Sequence, residues 1–294
     1  MRRLSDIFTK THHFPKSSSG RAHMTTHDRF ERQLNRSSKK GRSLYINSDK
    51  IQVYRGLDVT TNKIPLLEVR FIRFTPEFTP SNFRFSASSV ISQIRSRLRI
   101  PFTVGGSNSF IYALLAKKFN PESDVFSESN CGEDSVFCKE LRYSCCFLLV
   151  NVSLAVLNEY LVKRVDDMLE SGMFEELAKH FENHTSNSVS KCRLKKEIGV
   201  PESGKYFKRF KSIDVDEEER KAVKAIMDNT CQLAKRPLGK IPRLRGTTGW
   251  DLKRADATET VRAAMDGGGR RLADIWEEQV EEPNMKIVKQ FLME

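Results

Sequence analysis

No apolar run in the sequence approaches the ~20 residues that a membrane-crossing helix needs, which removes an integral membrane protein from consideration. None of the six cysteines (Cys131, Cys138, Cys145, Cys146, Cys192, Cys231) forms a Cys-x-x-Cys pair, and none has a histidine at ligand spacing. Cys145 and Cys146 are adjacent within an apolar run, where neighbouring side chains point apart. Structural thiols in a reducing compartment are therefore expected, ahead of zinc or a disulfide framework. Histidine is scarce, and none follows His184. A sound phosphate loop is also lacking. The one GxxxxGK match, Gly199 to Lys205, continues into Tyr206, where Ser or Thr must reach magnesium. The basic stretch Lys191–Lys196, not a buried strand, precedes it, so the match reads as coincidence.

What the chain has in excess is positive charge, +12 over 294 residues. Residues 1–42 hold 11 Lys and Arg against 3 Asp and Glu, while the remainder holds 39 against 35. The basicity thus sits mostly on an N-terminal segment, and the body is nearly balanced. Such a segment suits nucleic acid or a targeting signal. Met1–His23, with one acidic residue and several basic and hydroxyl residues, resembles an organellar transit segment loosely. Residues 1–42 show no helical or strand periodicity and are expected to be a disordered tail, with one folded domain over 43–294.

Within that domain the pattern alternates. Leu44-Tyr45-Ile46 reads as a short strand. Ala87, Val90, Ile91, Ile94 and Leu98 mark one helical face over 86–99. Ile100–Val104 reads as a buried strand, broken by Gly105-Gly106 and followed by a helix over about 110–118. Cys145–Val152 is apolar throughout, as in a sheet covered on both faces, and Leu154, Leu157, Leu161, Val165 and Met168 follow at helical spacing. Further helices are expected over 173–182, 216–235, 257–265 (with Asp256 and Glu259 as a capping box) and 271–280. Residues 119–143 and 183–193 read as exposed linkers, and Gly267-Gly268-Gly269 as a flexible connection. Repeated strand–turn–helix units make an α/β fold with a parallel sheet.

The richest cluster is Ile46-Asn47-Ser48-Asp49-Lys50-Ile51-Gln52-Val53-Tyr54, followed by Gly56-Leu57-Asp58 and Thr61-Asn62-Lys63. A carboxylate at the end of a parallel strand stands on the edge where such sheets bind ligands. Further blocks follow in order: Gly105-Gly106-Ser107-Asn108-Ser109, Lys163-Arg164-Val165-Asp166-Asp167-Met168, Ile198–Glu202, Asp228–Arg236, and Trp276 to Leu292. Together these blocks resemble the plant adenylate isopentenyltransferases and, more distantly, the tRNA dimethylallyltransferases, over about 230 residues.

The resemblance implies a P-loop-NTPase-like parallel sheet flanked by helices, with a mostly helical C-terminal half. It implies transfer of a dimethylallyl group from its diphosphate to N6 of the adenine of ATP, ADP or AMP, with Mg2+ as cofactor. Asp49 matches the family's general base. Gln52 and the turn Gly105, Gly106, Ser107 and Asn108 fall in the matching blocks as substrate-binding positions. Lys63, Arg164, Lys235 and Arg236 are the cations expected near phosphate. A plastid location is implied, with cytoplasm or mitochondrion as alternatives. Transfer to tRNA is the alternative reaction, disfavoured because many tRNA-type relatives end in a Cys/His zinc module. A non-catalytic nucleotide-binding remnant is the third reading.

The chain departs from the family pattern in four places. Met24–Gly41 stands where relatives carry a glycine-rich loop ending in Lys-Ser or Lys-Thr, so the fold is expected to lack its first strand and helix. Leu66–Phe78 replaces a histidine-containing loop, Asn151 replaces an aspartate, and Pro237 and Pro242 interrupt an expected helix. These departures point to a decayed gene copy or a mis-joined coding sequence, nearly inactive and marginally stable.

Overall fold

The computed structural model describes residues 5–10, 44–50, 56–61, 78–122, 125–126, 137–184, 221–232, 241, 245–246 and 248–294. Five strands form one parallel sheet in the order β2-β3-β1-β4-β5. They are β1 (Ser5–Lys10), β2 (Leu44–Asn47), β3 (Pro101–Val104), β4 (Ser144–Asn151) and β5 (Leu252–Asp256). Because all pairings are parallel, every strand delivers its carboxyl end to the same edge. Asn47 lies level with Val104, Val104 with Thr9, Lys10 with Leu149, and Asn151 with Asp256.

The central strand corrects the expectation that the first strand is lost and that residues 1–42 stand wholly outside the fold. Ser5–Lys10 pairs with β3 on one side and β4 on the other. Ile7 and Phe8 are its only apolar residues, too few to stand out in a basic segment. What holds a parallel central strand is the backbone pairing on both edges, which any non-proline sequence can supply.

Helix α1 (Pro80–Ser96) begins earlier than the periodicity suggested. Thr79 and Asn82 form a reciprocal capping box and Pro80 opens the first turn, both favourable helix starts. Phe83, Ala87, Ile91 and Ile94 are buried along one stripe. Leu98, expected on that face, lies beyond the last turn, exposed and at φ 56°. Helix α2 (Asn108–Leu115) packs on α1, where Phe83 stacks on Phe110 at 4.7 Å.

Strand β4 shows why its residues are almost continuously apolar. Cys146 and Leu148 face Met285 and Val288, while Phe147 stacks on Trp250 in a different part of the core. Burial raises the Cys146 thiol to about 11, so it stays protonated and unreactive at neutral pH. Among the described residues, Cys138, Cys146 and Cys231 are free thiols.

Helices α3 (Leu154–Glu170) and α4 (Met173–His184) follow as a hairpin turned by Gly172 at φ 88°. Leu154, expected inward, is exposed. Residues 221–232 are helical, inside the span expected for 216–235. The C-terminal part contains β5, which the sequence reading missed, then α5 (Thr258–Met265) and α6 (Gly269–Trp276). A π-helical turn, Glu277–Glu281, joins α6 to α7 (Glu282–Met293). The capping box expected between Asp256 and Glu259 is replaced by another arrangement: Asp256 Oδ1 accepts from the Thr258 amide and hydroxyl, at 2.9 and 2.6 Å.

Within the expected linker 119–143, the described residues include two that are held in the core. Phe126 and Phe137 are buried edge-on against Tyr112, and the Tyr112 hydroxyl accepts from the Cys138 amide at 2.8 Å. The other expected linker, 183–193, falls almost entirely outside the described residues.

Candidate functional site

The sheet's carboxyl edge carries the cluster that the sequence singled out. Asp49 follows β2 by two residues, and how it is held can be traced atom by atom. The Ser48 amide donates to Val104 O at 2.7 Å and its hydroxyl to the same oxygen at 3.2 Å, carrying the β2–β3 ladder one residue past the strand. The Asp49 amide donates to Asn47 Oδ1 at 2.8 Å, and the Lys50 amide to Ser107 Oγ at 2.8 Å. Ser107 occupies the N-cap of α2 yet makes no side-chain capping bond, because its oxygen is taken by Lys50.

Gly105 is the floor of this arrangement. Its φ is +148°, and a Cβ there would lie 2.6 Å from Ser48 Oγ and 2.7 Å from the Asp49 amide nitrogen. Only glycine lets the two backbones approach this closely. Gly106 has open space around it, and Asn108 is buried as the first residue of α2. The structure therefore brings Asp49 together with Gly105, Gly106, Ser107 and Asn108 into one cradle.

Arg164 enters from α3. The residue keeps some exposed surface, but its guanidinium lies deep. Burial, the largest influence, pushes its pKa down, while Tyr160 and then Asp49 push it back up. Asp49 and Arg164 are thus in electrostatic contact across the edge. Arg164 Nε is buried without a hydrogen-bond partner, an arrangement that costs ~1–3 kcal/mol until something accepts from it. The neighbouring cation serves differently: Lys163 Nζ donates to Met265 O at 2.7 Å, at the carboxyl end of α5. Tyr160, which the sequence reading did not single out, is raised to about 12, first by burial, and is a neutral phenol beside Arg164.

Gln52, Lys63, Lys235 and Arg236 lie outside the described residues, as do the Gly199–Tyr206 match, the segment 66–77, Pro237 and Pro242. Among the described residues, no group of three or more His, Cys, Asp or Glu could hold a metal ion. The sequence reading also overlooked Glu176, whose partners lie far away in the chain and so leave no local pattern.

The pattern of the IPP transferase family matches residues 52–134 and 121–238. An adenylate isopentenyltransferase of Humulus lupulus is 50% identical over 277 residues, spanning 85% of this chain and 82% of its own length. Adenylate isopentenyltransferase 1, chloroplastic, of Arabidopsis thaliana is 43% identical over 268 residues, covering 85% and 74%. Other Arabidopsis relatives are named as chloroplastic or mitochondrial. A solved eukaryotic dimethylallyltransferase acting on tRNA superimposes with a TM-score of 0.70 at 19% identity, over 99% of this chain and 80% of that one. This last likeness speaks for the P-loop-type fold, and the curated relatives speak for the family. At these identities and coverages, the chain belongs to the IPP transferase family, among the plant adenylate isopentenyltransferases.

Proposed function

We propose that this chain transfers the dimethylallyl group of dimethylallyl diphosphate to N6 of an adenine nucleotide. The observation that carries the reading is that Asp49 acts electrostatically on Arg164, whose buried Nε has no acceptor among the described residues, on the carboxyl edge of a parallel sheet. The carboxylate draws a proton from the attacking amine, and the guanidinium stabilises negative charge growing on the departing diphosphate. The adenylate isopentenyltransferase relatives support ATP, ADP or AMP as acceptor over tRNA. The described residues form no magnesium cage. Mg2+, as the family resemblance implies it, would be held chiefly by the oxygens of the diphosphate and would neutralise its charge.

The names of relatives support an organelle, plastid first. The position of β1 constrains how such an address works, since removal of residues through Lys10 would take the central strand with it.

The test is a prenyl-transfer assay with dimethylallyl diphosphate, Mg2+ and each adenine nucleotide. Turnover is expected to be slow, because no GxxxxGK[ST] loop is present and each lost oxyanion donor costs ~10²–10³-fold. Asp49→Asn should lower it by a further ~10²–10⁴-fold. Transfer by the variant at the parent's rate would remove Asp49 as the base. Tight, steeply salt-dependent tRNA binding by the body of the chain, followed by tRNA prenylation, would reassign the acceptor.

A further inference from the structure

The α3–α4 hairpin grips the segment 56–61, a few residues after Asp49, through a carboxylate that the transfer chemistry does not use. Glu176 lies in the first turn of α4. Its Oε1 accepts from the Val59 amide at 3.0 Å, and its Oε2 accepts from the Thr60 amide at 2.8 Å and the Thr60 hydroxyl at 2.7 Å. One side chain thus collects three charge-assisted bonds from two adjacent residues. The stretch it grips, 56–61, closes on itself, with the Thr61 amide and hydroxyl donating to Leu57 O at 2.9 and 2.5 Å.

The shape of this loop is imposed from outside. Leu57 sits at φ 54°, a conformation that leucine adopts only when its surroundings hold it. Those surroundings are Val165 and Met168 of α3, Met173 and Leu177 of α4, and Ile226, among which the Leu57 side chain is buried. Val165 is the residue after Arg164. The segment 56–61 and the hairpin whose first helix carries Arg164 are therefore joined by an apolar plug and a charged latch.

We propose that Glu176 is a positioning residue: acting through the loop at Val59 and Thr60, it sets where Asp49 stands relative to Arg164. The inference rests on the reading of Asp49 and Arg164 given above. It goes further in making their separation depend on a group that touches neither of them.

The experiment compares the full chain with Glu176→Gln, Glu176→Asp and Thr60→Val, by amide hydrogen exchange and by steady-state transfer from dimethylallyl diphosphate to ADP. Glu176→Gln keeps the length but turns an amide donor toward three donors. Exchange at Val59 and Thr60 should rise about tenfold or more, and the Lys50 amide, held by Ser107, should lose protection with them. kcat should fall by about tenfold or more with KM for ADP nearly unchanged, because misplaced groups lose rate before they lose binding. Glu176→Asp should recover part of both effects. Thr60→Val, which removes one of the three bonds, should show them in smaller measure and decides the matter if Glu176→Gln fails to fold. Faster exchange confined to Val59 and Thr60, with Lys50 unchanged, overturns the proposal and leaves Glu176 as a local tie. If the parent transfers no dimethylallyl group, the functional reading has failed, and the Lys50 exchange still decides whether the latch positions Asp49.

Discussion

Replacing Gly105 with alanine puts the cradle to its most direct test. The added Cβ would meet Ser48 Oγ at 2.6 Å and, at 2.7 Å each, the Asp49 nitrogen and the Ser48 carbonyl carbon. Two of these three neighbours are backbone, so no rotamer change clears them. Backbone strain at φ +148° for a residue with a side chain costs ~1–3 kcal/mol, and overpacking a tight contact costs a further ~1–3 kcal/mol. At about 2 °C of melting temperature per kcal/mol for a chain of this size, Gly105→Ala should melt roughly 4–12 °C below the parent. The alternative to that loss is a shift of the β2 end, which displaces Asp49 and lowers transfer up to ~10²-fold. Gly106→Ala is the internal control for stability. Nothing lies within 4 Å of its Cβ position and its φ is not in the left-handed region, so it should melt close to the parent. Calorimetry on the three proteins, with transfer from dimethylallyl diphosphate to ADP, checks the reasoning. If Gly105→Ala melts as the parent does and transfers as fast, the close approach of β3 to Asp49 is refuted.

Deleting residues 1–10 removes a strand paired on both edges, so the truncated chain should lose cooperative unfolding by circular dichroism, where a dispensable tail would leave it intact. Alkaline stability should depend on Tyr160. Burial raises its hydroxyl from 10 to about 12, so the folded state keeps a proton that the unfolded chain releases. Stability present below pH 10 is lost as pH rises to 12, by up to about 3 kcal/mol, and urea midpoints of Tyr160→Phe should fall less steeply across that window. Inserting a relative's GxxxxGK[ST] loop between Lys10 and Leu44 should raise transfer by at least ~10²-fold. Because β1 already fills the centre of the sheet, the melting temperature should change little, and an unchanged rate would show that another segment holds the diphosphate.

Much of this site could be read in the chain because its signals are local. Leu44–Asn47 and Pro101–Val104 are apolar runs ended by polar or glycine turns, and Asp49 and Gly105 stand directly after them. The carboxyl edge of a parallel sheet then follows from the alternation of strands and helices alone. The elements that escaped notice lack such signals. Strand β1 has only Ile7 and Phe8 to mark it. Strand β5 reads Leu-Lys-Arg-Ala-Asp, with only Leu252 and Ala255 buried, a three-residue spacing that breaks a strand's alternation and mimics a helix. The start of helix α1 is hard to read because Phe83 and Phe85 alternate there, one buried and one exposed, among Ser, Asn and Arg. Glu176 was invisible for another reason: its partners, Val59 and Thr60, are separated from it by more than a hundred residues. Contacts of that kind are properties of the assembled hairpin and loop, not of any window of sequence.

The placement of β1 also fixes an order of assembly during synthesis. Ser5–Lys10 leaves the ribosome well before its partners, since Ile7 pairs with Phe102 and Asp6 with Cys145. At about 5–20 residues per second, the strand waits roughly 5–30 s between its own emergence and that of its second neighbour. Both of its edges stay open until β3 emerges, and one stays open until β4 does, each a template for pairing with another nascent chain. The most central strand of the sheet is thus the one held longest without partners. Yield of folded protein should therefore depend on chaperones that shield the N-terminus, and on translation speed between β2 and β4, more than on any contact within the finished cradle.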